Sequence, residues 1–293
     1  MCSRRWRAND ARHNARARPK ESPPRRDDRV LQTTRLTAAL LVPILVTAAV
    51  ILYLLPDDTE RLFAWPIRPR ATALVMGSGY VTGAYFFGRL ALASRWHRAG
   101  IPLPGVATFA VLLAVVSVLH WAEFNHGHVA FYAWVIVYGL APPPVVVIWW
   151  RNRATDPGLP EPTDILVPRP VRITLFVLGV ILLGSAAIAF IRPDIAMASW
   201  PWTLGERGAR AMAAWVALPG AAALTLAPET RWSAWRMPIE GTGLWALLIA
   251  IAIPRAWENI DVTGRVGVVT VVLVWLAAVG GLYASMERRR TER

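Results

Sequence analysis

Residues 173–191 read ITLFVLGVILLGSAAIAFI, nineteen positions without one charged side chain. A helix rises about 1.5 Å per residue, so a run of this length covers nearly the ~30 Å of hydrocarbon in a bilayer. The run is uniformly apolar and too long for the alternating strands of a membrane barrel, which leaves a helix as the only sensible span. Arg169 and Arg172 precede it and Arg192 follows it, so its ends are marked by charge.

Seven more windows have the same character: Leu36–Leu55, Ala71–Ala93, Pro104–Ala122, Val129–Trp150, Ala209–Ala227, Gly241–Trp257 and Val266–Ser285. Charges enter three of the eight, as Arg89, Arg210 and Arg255, each close enough to an end to reach the headgroups. Gly241–Trp257 is the shortest and carries Pro254 near its end. The pattern predicts an all-α polytopic membrane bundle of about eight transmembrane helices.

This reading resolves a conflict in the composition. The chain has 293 residues, 55% of them hydrophobic, yet a formal net charge of +13. Such a charge suits a nucleic-acid binder, but those proteins are rarely so apolar, and no aromatic-interleaved pattern accompanies the charge. With the N-terminus inside, the cytoplasmic segments hold 24 of the 32 Lys+Arg and the outer segments about as many acids as bases. That asymmetry places both termini in the cytoplasm, with anionic lipid headgroups as partners of the basic inner face, and the excess of arginine over lysine, 31 to 1, suggests a bacterial membrane. Many of the fifteen Trp fall at the expected interfaces. A single cysteine, Cys2, excludes a disulfide framework and any multi-Cys metal site within one chain.

The domain reading follows. Residues 1–35 form a basic tail with the composition of disorder, and 36–150 a first four-helix membrane half. Residues 151–172, with five prolines, read as a cytoplasmic linker, 173–285 as a second four-helix half, and 286–293 as a basic tail. The halves correspond at a shift of 135–137 residues. Arg35-Leu36-Thr37 meets Arg172-Ile173-Thr174, Pro56-Asp57 meets Pro193-Asp194, Trp65-Pro66 meets Trp200-Pro201, Arg95-Trp96 meets Arg231-Trp232, and Glu123 meets Glu258. This predicts an internal repeat with the halves in parallel orientation, related about the membrane normal, and any substrate path between them. The glycines of Gly79-x-x-x-Gly83 read as a helix-packing device.

Three stretches suggest chemistry. His120-Trp121-Ala122-Glu123-Phe124-Asn125-His126-Gly127-His128 gathers three of the five histidines at the outer end of the third span. His120 and Glu123 share a helical face, and His126 and His128 could bend over it. A divalent metal such as zinc would suit His120, Glu123, His126 and His128, although no standard metal signature is present. Pro142-Pro143-Pro144 must break or kink the fourth span and free carbonyls at membrane depth. The outer loop Pro56–Pro66 has an aromatic core that reads as a lipid anchor, with a gate as the sharper alternative. No Walker A sequence and no nucleophile-elbow pattern occurs.

The run Arg61-Leu62-Phe63-Ala64-Trp65-Pro66-Ile67 and the run Leu119-His120-Trp121 through Asn125-His126-Gly127 resemble segments of uncharacterised actinobacterial multi-pass membrane proteins. The resemblance covers roughly the first half and implies no activity, cofactor or site. The functional expectation is a non-enzymatic integral membrane protein, permease-like or lipid-contacting. A metal-dependent membrane enzyme using the His-rich turn is the alternative, and a membrane scaffold the second alternative.

Overall fold

A computed structural model describes residues 27–292. The tail residues 1–26, read above as disordered, lie outside the described residues. Residues 27–35 do not belong with a disordered tail: Asp28 and Val30 are buried, and Trp96 donates its N–H to the Asp28 carbonyl at 2.7 Å.

All eight apolar windows fall on helices. The first lies in α1 (Gln32–Ala49) and a π-helical turn that prolongs it to Leu54. After a short α2 (Thr59–Leu62) come α3 (Arg70–Leu92), α4 (Leu103–Leu119), α5 (Val129–Leu140) and α6 (Pro142–Arg153). The second part runs α7 (Arg169–Ile191), short α8 (Pro193–Ser199), α9 (Glu206–Leu226), α10 (Trp232–Arg255) and α11 (Val262–Thr291). Among the described residues five helices are long and apolar enough to cross a membrane: α1 with its π turn, α7, α9, α10 and α11. The pair α5 and α6 makes a sixth if it is one broken span. Helix α4 is apolar but shorter, at 17 residues.

Local chemistry explains the boundaries. Proline stands in the first turn of α4, α6, α7 and α8, where its missing N–H costs nothing. The Asp261 side chain caps α11 by accepting from the Gly264 N–H at 2.6 Å. Pro142, Pro143 and Pro144 break the fourth apolar window as expected, bending α5 against α6 by 40°. Helix α10 starts nine residues before its sequence window, because two charges in its first turns have partners. Glu240 pairs with Arg89 at 3.2 Å and accepts from the Tyr85 hydroxyl at 2.7 Å and the Tyr283 hydroxyl at 3.0 Å, while Arg236 pairs with Glu287 at 2.9 Å.

Helices α3 and α9 form the centre. Helix α1 packs along α3 and α7 along α9, while α4 crosses to α9 and α10 crosses to α3, so the two parts of the chain interlock. The peripheral helices present apolar faces outward: 61% of the α9 apolar window is buried within the protein, against 6% for α11. The largest core cluster mixes both parts, with Tyr80, Phe109, Trp134, Trp215 and Trp245 at its heart. Trp134 Nε1 donates to Ser117 Oγ at 2.8 Å and Trp245 Nε1 to Ser78 Oγ at 3.1 Å, while the buried Trp215 Nε1 has no hydrogen-bond partner.

Several contacts recur 136–137 residues later. Trp96 N–H donates to Asp28 O, and Trp232 N–H donates to Ile165 O at 3.0 Å. Arg35 Nε donates to Ala91 O at 2.9 Å, and Arg172 Nε to Ala227 O at 3.0 Å. Gly105 packs on Leu218 and Ala222, and Gly241 on Thr82. The 3₁₀ turns Trp121–Glu123 and Trp257–Asn259 keep the offset of 136, at which Glu123 corresponds to Asn259 and not to Glu258. Glu123 N–H bonds His120 O, and Asn259 N–H bonds Ala256 O, both at 2.9 Å.

The segment read as a linker is built into the fold. Residues 151–153 finish α6 and 169–172 begin α7. Between them Arg231, almost wholly buried, receives Asp156 in a two-pronged pair at 2.8 Å on each side and also binds Glu229 at 2.5–2.9 Å. Burial alone would raise both carboxyls. The Arg231 guanidinium and nearby backbone N–H groups outweigh it and hold Asp156 and Glu229 below the usual carboxylate range.

Candidate functional site

The His-rich turn begins where α4 stops. Its helical run ends at Leu119, and His120, just past it and buried, is followed by a single 3₁₀ turn, Trp121–Glu123. His120 Nδ1 lies 2.6 Å from Glu123 Oε1, so the expected pairing forms. Its other ring nitrogen faces Arg210 at 2.9 Å. A guanidinium only donates, so Nε2 accepts and Nδ1 carries the proton that bonds Glu123. Arg210 is held in turn by Glu206 at 3.0 Å. Arg207 donates to the Glu123 carbonyl at 2.6 Å and the Pro66 carbonyl at 3.3 Å, and pairs with the Glu123 carboxylate at 3.2 Å.

The other predicted ligands go elsewhere. His126 packs against the rings of Trp121 and Phe131, with centroids 5.3 and 4.6 Å away. His128 sits at the start of α5, where its N–H bonds the Asn125 carbonyl at 3.0 Å. His120, Glu123, His126 and His128 are therefore not gathered into one ligand set. Among the described residues no group of three or more His, Cys, Asp or Glu is placed to hold a metal ion. A cation at His120 Nε2 would also have to displace the Arg210 guanidinium.

The loop Pro56–Pro66, read above as an outer loop, points its aromatics into the protein. Trp65 and Phe63 are buried, and Trp65 stacks edge-on against Trp134 at 4.4 Å and Phe124 at 5.1 Å. Its aromatic core closes the protein interior instead of anchoring in lipid, because α5 presents Trp134 to it.

At the opposite end of the bundle lies a cluster that sequence reasoning missed. His97, in the turn after α3, is almost completely buried. Its N–H donates to Asp28 Oδ1 at 3.1 Å and its Nδ1 bonds Asp28 Oδ2. Its Nε2 lies 2.9 Å from Ser233 Oγ and 3.2 Å from Glu161 Oε1. Ser233 in turn donates its N–H and hydroxyl to Asp164, at 3.0 and 2.5 Å. Arg98 clamps Glu161 with contacts of 2.7 and 2.5 Å, and this pairing holds the Glu161 carboxyl below its usual range. A cavity of about 270 Å³ adjoins the cluster, bordered by Asp27, Asp28, Arg95, His97 and Glu161.

Ser233, His97 and Asp28 stand in the order nucleophile, base, orienter. The hydroxyl proton of Ser233 is directed to Asp164, however, so its oxygen accepts from His97 instead of surrendering a proton to it. The array is a clamp. It ties the end of the N-terminal tail, the α3–α4 turn, the segment before α7 and the start of α10 into one block. The signal that could have found it is the pairing of Arg95-Trp96-His97 with Arg231-Trp232-Ser233, each approached by an aspartate some seventy residues earlier.

Comparison with protein-family models, curated proteins and solved structures finds no match for this chain.

Proposed function

We propose that the chain is an eight-span protein of a bacterial cytoplasmic membrane, built from two parallel-oriented four-helix repeats, with both termini inside, and that it serves as a lipid-contacting body and not as a conduit. The recurrence of contacts at an offset of 136–137 supports the repeat. An axis along the membrane normal would then pass between residues 79 and 215 and between 97 and 233, since each is in contact with its own counterpart.

One observation carries the functional reading: the seam between the halves is filled. The Trp215 ring lies against Gly79 so closely that a Cβ there would come within 2.2 Å of it, and Gly105 sits directly on the backbone of α9. A permease-like path along that seam has no room. The outward surfaces of α1, α7 and α11 are instead continuous apolar ground, with exposed residues such as Leu40, Val177 and Val271. They fit acyl chains, and the arginine-rich inner rim fits anionic headgroups. A metal-dependent enzyme is the weaker reading, because Arg210 already occupies His120 Nε2.

The test is orientation mapping in a Cys2→Ser background. Single cysteines at Gly127 and Thr203 should react with an impermeant maleimide added to intact cells. Cysteines at Thr155 and Thr291 should react only after lysis. Labelling of all four from outside, or recovery of the protein in the soluble fraction, would refute the reading.

A further inference from the structure

On the outer side a cavity of about 590 Å³ opens between the first part of the chain, at Asp57, Glu60, Arg68 and Arg70, and the second, at Thr203 and Asn259. Its origin follows from the repeat proposed above, on which this step of the argument rests. On one side of the molecule Arg207 fills the space between the halves, reaching the carbonyls of Pro66 and Glu123. An offset of 136 maps Arg207 to Ala71, Pro66 to Trp202 and Glu123 to Asn259. The related space, beside Arg70, Thr203 and Asn259, thus lacks the arginine that fills its twin, with Ala71 at the matching position buried in the core, and it stands open.

The polar groups there are unevenly satisfied. Arg70 Nε is shielded from solvent and has no hydrogen-bond partner, while its guanidinium meets Asp57 only at 3.5 Å. Arg68 pairs with Glu60 at 3.0 Å, with both side chains well exposed. Exposed pairs of this kind are worth roughly 0–1 kcal/mol, so a better acceptor displaces them cheaply. The Arg70 side chain, 40% exposed and held by Asp57 only at 3.5 Å, can turn its guanidinium to a ligand that supplies better-placed oxygens.

We propose that this outer cavity binds a phosphate-class oxyanion, received by the Arg70 guanidinium with Arg68 at the rim. The oxyanion can come from an outer-leaflet phospholipid headgroup or from soluble phosphate, and the chemistry of recognition is the same for both.

The full chain, purified in detergent, is titrated with inorganic phosphate while its thermal unfolding is followed. In parallel it is incorporated into phosphatidylglycerol nanodiscs, extracted, and examined for retained lipid by native mass spectrometry. Two variants are compared. Arg70→Gln removes the receiving group. Gly205→Asp places a carboxylate at a cavity position where a Cβ meets nothing within 4 Å, and where aspartate suits the start of α9. Phosphate-dependent stabilisation, lipid retention, or both in the wild type, weakened on the order of tenfold or more in each variant, supports the site. A phosphate effect alone identifies a soluble ligand, and retained lipid alone a headgroup. Absence of both effects in the wild type, or equal effects in the wild type and both variants, overturns the proposal. A protein that fails the orientation test but still responds to phosphate in an Arg70-dependent way separates this site from the membrane reading.

Discussion

Gly105 in α4 and Gly241 in α10 lie 136 residues apart, yet alanine should act on them in opposite directions. A Cβ on Gly105 would lie 2.6 Å from the Leu218 carbonyl oxygen and 2.9 Å from both the nitrogen and the Cβ of Ala222. Carbon atoms pack best at about 3.5–4.0 Å, so α4 and α9 must part by roughly 0.6–1 Å. Two of these obstacles are backbone atoms, and no rotamer change relieves them. Overpacking of this kind costs about 1–3 kcal/mol, offset by the ~0.5–1 kcal/mol that alanine contributes over glycine inside a helix. The net effect of Gly105→Ala is a loss of about 1–2 kcal/mol. At Gly241 the added Cβ meets only Thr82 Cγ2, at 3.8 Å, an ordinary contact. Gly241→Ala should therefore stabilise by about 0.5–1 kcal/mol. The assay is unfolding in mixed micelles with increasing SDS, followed by tryptophan fluorescence. The two variants should differ by about 2 kcal/mol, or roughly thirtyfold in the unfolding constant. Gly105→Ala as stable as the wild type, or both variants shifting the same way, would refute the claim that α4 rests on the backbone of α9.

Arg231→Met leaves the half-buried Asp156 and Glu229 facing each other without a cation and should cost about 3–5 kcal/mol; adding Asp156→Asn should recover part of it, and a loss below about 1 kcal/mol would show that the knot is not structural. Because Asp156, Glu161 and Glu229 are held below the usual carboxylate range, their contribution is fully present above ~pH 5 and is lost as the pH falls through their lowered values. Thermal midpoints should accordingly drop in acid, and Glu161→Gln should shrink that drop; an acid-insensitive wild type would contradict the assignment. His97→Ala should release residues 27–31, raising the rate of tryptic cleavage at the exposed Arg29 by about tenfold or more, as expected when a local opening loses one or two charge-assisted hydrogen bonds. Purified protein should hold no stoichiometric zinc, and His120→Ala should leave its metal content unchanged; a one-to-one metal lost in that variant would restore the enzyme reading.

The helices were legible because a bilayer imposes a length and a polarity on any span, and Ile173–Ile191 satisfies both without reference to the rest of the chain. The start of α10 was not. Arg236 and Glu240 look like loop charges until Arg89, Tyr85, Tyr283 and Glu287 are brought to them from distant helices. The His-rich turn misled for a related reason: proximity in sequence suggested a ligand set, but the end of α4 turns His126 onto aromatic rings and gives His120 an arginine from α9. The cluster around His97 was invisible because its members come from four separated segments, and Asp28 lay in a stretch whose composition spoke only of disorder.

Two contacts at an offset of 136, which the proposed repeat makes contacts between counterparts, join unequal side chains: glycine at 79 against tryptophan at 215, histidine at 97 against serine at 233. Two copies of the first half would place glycine against glycine and leave a hole; two copies of the second would drive one indole into another. Cut into separate chains and expressed together, the halves should choose each other over themselves. On the repeat proposed above, the single polypeptide acts as a committed heterodimer in one chain, with selectivity written into the contact of Gly79 with Trp215.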